Sequence, residues 1–92
     1  MSGKIKIITY YDDSGVQRGI FGDVSSQNEK EITEVKDNLL SLLQNYQRKT
    51  IQELHSKYFC LKKPGNIFIC LSEIGYPERL AYAMLNVISI GI

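Results

Sequence analysis

The sequence predicts one α/β domain of the α+β kind, a sheet covered by helices, and three observations carry that reading. Short runs rich in β-branched and aromatic residues bracket one long amphipathic stretch. One of those runs, Ile67-Phe-Ile-Cys-Leu-Ser72, is apolar on both faces, whereas a strand open to water on one side would alternate. Finally, 92 residues that are 43% hydrophobic and 23% charged fit a single domain with a modest core that needs no staples.

Lys4 to Tyr11 is β-branched and partly alternating, which predicts a first strand. Asp12-Asp13-Ser14-Gly15 supplies a turn, through short side chains that bond their own backbone and a Gly that tolerates positive φ. A weaker strand follows from Val16 to Phe21, where Gly19 and Gly22 suit an edge or a bulge. Over residues 26–48, Ile32, Val35, Leu39, Leu42, Leu43 and Tyr46 step by three and four and predict a helix. Lys30, Glu34, Asp37, Ser41, Gln44 and Arg48 fall on its other face, and Ser26 with Glu29 makes a capping-box pattern at its start.

Thr50 to Leu54 reads as a short strand, turned or bulged at His55-Ser56 into a strand over Lys57–Lys62. Lys63-Pro64-Gly65-Asn66 is a turn that feeds the doubly apolar strand, which is therefore expected at the centre of the sheet. Tyr76-Pro77 opens a last helix with Pro at its first helical position. Leu80, Met84, Val87 and Ile88 are its expected buried stripe, with Ala81 and Leu85 beside them and Gly91 at its end. The order is strand, strand, helix, three strands, helix.

Counting excludes several functions. Eleven basic against ten acidic side chains give +1, so no bulk field favours nucleic acid or anionic lipid. One His and two Cys cannot build a four-ligand structural zinc site without carboxylates, and neither a metal nor a cofactor is expected. No apolar run approaches the ~20 residues of a membrane span. Met1-Ser2-Gly3-Lys4 has no signal-peptide stretch, and Ser2 stands where myristoylation would need a glycine. Two cysteines are too few for a disulfide framework, so a reduced, cytoplasmic protein is expected. Their pairing hangs on one register. If residues 63 and 66 close the hairpin, Cys60 faces Ile69, Phe59 faces Cys70 and the sulfurs point to opposite faces; a three-residue loop would set Cys60 against Cys70.

Catalysis needs convergent polar groups, and none assemble. His55 reads as a surface or turn histidine, and Cys60 and Cys70 lie in apolar strands where burial keeps a thiol inert. Asp12-Asp13 and Glu73-Glu78 fall in a turn and at a helix start. Gly15, Gly19 and Gly22 match no phosphate-binding spacing. Lys57, Lys62 and Lys63 read as solubilising an edge.

Tyr58 to Ile88 carries more specific information. An apolar strand, a polar step at Ser72-Glu73, then Tyr76-Pro77-Glu78-Arg79-Leu80-Ala81-Tyr82-Ala83-Met84-Leu85 resembles the longin domain, the N-terminal regulatory module of the synaptobrevin-like R-SNAREs. Tyr76, Pro77, Arg79, Leu80, Ala81, Tyr82 and Leu85 match that family's pattern; Glu78 stands where a base is usual and Met84 where an aromatic is usual. The resemblance implies a longin/profilin-like fold, a five-stranded antiparallel sheet between helices. It implies a non-catalytic interaction module of vesicle trafficking, at the cytosolic face of ER, Golgi or endosomal membranes, that binds a SNARE motif or a coat or sorting protein segment. By position, the groove between first helix and third strand would use Val35, Leu39, Leu43, Tyr46, Ile51, Glu53 and Leu54. The alternative within the fold is a small subunit of a clathrin-adaptor or tethering complex; a small enzyme is a more distant one.

Two departures from the family stand out. No heptad SNARE motif with a central Arg follows, and the chain stops at Ile92, where longins extend the last helix and add another. Ile88, Ile90 and Ile92 then have few partners, and a homodimer through the C-terminal helix is expected.

Overall fold

Alternation along the chain decides which residues become strands, within residues 4–22 and 25–91 described by the computed structural model. Ile92, expected at an exposed chain end, lies outside the described residues. The elements are β1 (Ile5–Asp12), β2 (Gln17–Gly22), α1 (Ser26–Leu39), β3 (Arg48–Gln52), β4 (Ser56–Lys63), β5 (Asn66–Glu73) and α2 (Glu78–Ile90). The strands form one antiparallel sheet in the spatial order β2-β1-β5-β4-β3. The protein is a small α+β fold of five strands and two helices.

The doubly apolar strand is the central one, with Ile67 through Ser72 all buried. Period two splits the core into two layers. Tyr58 and Cys60 of β4 and Ile67, Ile69 and Leu71 of β5 face one way, where Ile32, Val35 and Leu39 of α1 close over them. Phe59, Leu61, Phe68 and Cys70 face the other way, beneath Ala81, Tyr82 and Leu85 of α2. The β4–β5 hairpin is closed by Lys63 opposite Asn66, with Gly65 at φ 87° after Pro64. That is the two-residue register: Cys60 lies opposite Ile69 and Phe59 opposite Cys70, and both thiols are free.

The first turn is built on Asp12, whose Oδ1 accepts from the amides of Ser14 and Val16 while Oδ2 pairs with Arg18. Those amide bonds to the charged form, led by that from Val16, hold its carboxyl below the ordinary carboxylate range. Gly19 is required by its neighbour, because a Cβ there would run into the Tyr10 ring, which stacks on Phe68.

Several boundaries differ from expectation. The cap of α1 is Ser25, whose hydroxyl accepts from the Asn28 amide, rather than Ser26. The helix ends at Leu39, not at residue 48. Beyond it one more turn forms, with Leu43 N–H donating to the Leu39 carbonyl, and then β4 captures the chain: Tyr46 N–H donates to the Lys62 carbonyl and Lys62 N–H to the Gln47 carbonyl. Tyr46 takes φ 69°, which ends any helix. The third strand is accordingly Arg48–Gln52 instead of residues 50–54. Pro77 is the N-cap of α2 rather than its first helical residue. The buried face of α2 is Ala81, Tyr82 and Leu85, whereas Leu80 and Val87 of the expected stripe are exposed. Among the described residues no helix is long and apolar enough to cross a membrane.

Candidate functional site

The sheet has two edges, β2 and β3, and side chains of α2 reach β3. Its ladder with β4 sets which backbone groups are spoken for. Glu53 N–H donates to the Ser56 carbonyl, and Lys49 and Ile51 sit opposite Cys60 and Tyr58. In an antiparallel pair the inward bonds recur at every second residue, so Lys49, Ile51 and Glu53 bond β4 and the N–H and C=O of Thr50 and Gln52 turn outward.

Side chains alternate in the same way. Lys49 and Ile51 share the α1 face with Cys60 and Tyr58; Arg48 and Thr50 share the α2 face with Leu61 and Phe59. On the α2 face the strand is pinned. Thr50 Oγ1 donates to Glu78 Oε1 at 2.6 Å and lies 2.8 Å from the Tyr82 hydroxyl, which is left as donor in that pair. The Arg48 guanidinium sits over the Tyr82 ring, 4.9 Å from its centroid. On the α1 face Ile51 is half-buried against the core while Lys49 is exposed.

The seven expected groove residues divide into three groups. Val35 and Leu39 are buried under α1 and belong to the core. Leu43 and Ile51 are half-buried, and each packs against that same core, one from the turn after α1 and one from β3. Tyr46, Glu53 and Leu54 are exposed, Tyr46 before the start of β3 and the other two beyond its end. Leu54 is 82% exposed and Tyr46 68%. The Tyr46 ring lies under the Lys63 ammonium at 5.5 Å and is held on a left-handed backbone that a bulky residue seldom adopts.

Sequence reasoning left four residues out of the site. Leu42 is 71% exposed in the turn after α1. Lys49 puts a cation on the α1 face of β3; pairing with a strand begun two residues earlier would have shown it. Tyr58 and Glu31 floor the other end, with the Tyr58 hydroxyl donating to Glu31 Oε2 at 3.4 Å. Burial first, then the nearby Glu31 and Glu53 carboxylates, raise the Tyr58 phenol well above its ordinary range.

The groups with chemical potential lie apart. His55 is exposed in the turn between β3 and β4. Cys60 and Cys70 lie on opposite faces of the sheet, and burial pushes both thiols up to about 12. Asp13 accepts from Lys62 Nζ, and Glu73 accepts from the Lys4 amide. Lys62 does not solubilise an edge, since β4 is interior. Its buried ammonium donates to Asp13 Oδ1, Asn45 Oδ1 and the Lys63 carbonyl, tying two loops to the sheet. Among the described residues no group of three or more His, Cys, Asp or Glu is placed to hold a metal ion.

No family model and no curated protein matches the chain.

Proposed function

We propose that the protein is a non-catalytic interaction module that takes up an extended peptide along the free edge of β3, beside the end of α1. The observation that carries this is the edge itself. Its five residues present outward N–H and C=O groups at Thr50 and Gln52, with the half-buried Ile51 between them and the exposed Leu54 just past the strand's end. Main-chain pairing supplies affinity in such additions, and alternate side chains of the incoming strand find the apolar flank.

The resemblance of Tyr76–Leu85 to the longin pattern implies the class of partner: a SNARE motif or a coat or sorting protein segment, met at the cytosolic face of endomembranes. Ala81, Tyr82 and Leu85 of that pattern are core residues beneath α2, so it supports the fold and, through the fold, the groove. Titration of SNARE-motif peptides followed by amide NMR shifts tests the reading. Shifts concentrated in residues 42–54 are expected; shifts that avoid this segment, or none at saturating peptide, reject it.

A further inference from the structure

The helix α2 carries apolar side chains on the face turned away from the sheet as well as on the face it buries. From Leu80 to Ile90 it has no charged residue. Leu80, Val87 and Ile90 are 51%, 69% and 75% exposed, and Ala83 is exposed among them. A helix that is apolar nearly all round is ordinarily covered on all sides. The apolar surface continues beyond the helix toward β1. Half-buried Met84 and Ile88 lead down to Ile8 and Tyr10 of β1, with the exposed Phe21 opposite Ile8 on the same side of the sheet. Contiguous apolar surface of this kind is unusual on a lone soluble domain.

We propose that this face is covered by the same face of a second copy, with the two α2 helices antiparallel about a two-fold axis near Leu85. Three features favour a second copy. The exposed row Leu80, Ala83, Val87, Ile90 has spacings of three, four and three, so it reads the same in both directions. An antiparallel copy therefore sets Leu80 against Ile90 and Ala83 against Val87, small against branched, which permits close approach. The face has no charge to be matched and the chain's net charge is +1, so a copy meets it without repulsion. The contact is also self-complementary and closes at two subunits. A bilayer is the poorer fit, since an interfacial helix needs a basic polar face and α2 offers one cation, Arg79, beside Glu78. The face is separate from the β3 edge, which lies across the sheet from β1 and β2.

Sedimentation equilibrium from micromolar to high micromolar loading is the test, run beside far-UV circular dichroism. The wild-type chain should move from 10.5 kDa toward twice that mass. Val87→Glu, at an exposed position, should keep the spectrum and melting curve and remain a monomer throughout. Leu54→Glu, also exposed but at the β3 edge, should associate as the wild type does. A wild-type monomer at every loading overturns the proposal. So does a Val87→Glu chain that still dimerises, or a Leu54→Glu chain that does not. Binding of monomeric wild type to phosphatidylcholine–phosphatidylserine vesicles, lost in Val87→Glu, would assign the face to a bilayer instead.

Discussion

Leu39 and Leu54 carry the same side chain and meet opposite surroundings. Leu39 is 3% exposed, where α1 closes over β1, β4 and β5, and Leu54 is 82% exposed past the end of β3. Truncating Leu39 to Ala removes packed atoms and leaves a cavity, and is expected to cost about 2 to 5 kcal/mol in chemical denaturation. Leu54→Ala should change stability by less than about 0.5 kcal/mol. Similar losses at both sites would contradict the assignment of core and surface. The thiols give a second residue-scale prediction. Burial raises Cys60 and Cys70 from an ordinary 9.0 to about 12, so the folded state keeps protons that the unfolded chain releases. Their contribution is full below pH 9 and is lost as pH climbs toward 12, because the unfolded state then binds fewer protons. Denaturation midpoints should fall across that window, and by less when both cysteines are replaced by Ala; an equal fall would remove the thiols from the account. The buried state of the thiols was legible from their apolar neighbours. That of Lys62 was not, because its partners Asp13 and Asn45 lie 49 and 17 positions away.

Period and turn chemistry located every element, and tertiary contacts set their ends. Leu42, Leu43 and Tyr46 continue the helical spacing of α1, yet the helix stops at Leu39. The pairing of Tyr46 and Gln47 with Lys62 fixes the change of direction, and spacing alone does not report a partner on another strand. The same early stop lets β3 begin at Arg48, so the bounds of the candidate edge were the part of the site hardest to read from sequence. Val35 and Leu39 entered the expected groove by position, through the family resemblance, but both are spent on the core. At β3 the alternation yields a variant that separates binding from folding. Gln52→Pro deletes an outward N–H without breaking a bond to β4, and proline is tolerated at an edge strand on that side. The variant should keep its fold by circular dichroism and lose peptide binding by at least about tenfold, the value of one backbone hydrogen bond of roughly 1.4 kcal/mol. Undiminished binding would place the ligand elsewhere.

The molecule as a whole is a sheet with unequal cover. Both layers of core converge on β5, and the doubly apolar sequence of that strand announced its central place. Spatial order was beyond local pattern, since it depends on which long-range pairs form, such as β1 with β5 at the far end of the chain. What the helices leave uncovered then defines two surfaces: the β3 edge beside α1, and the outer face of α2 running onto β1 and β2. On the first of these surfaces, an extended chain is proposed to complete the β3 edge. Amide hydrogen exchange at Thr50 and Gln52 reads it most directly. In the free protein these two amides should exchange far faster than those of Lys49 and Ile51, which bond to β4. With saturating SNARE-motif peptide, both should slow markedly while the amides of β2 stay unchanged. Fast exchange at Thr50 and Gln52 in the presence of bound peptide would contradict the account.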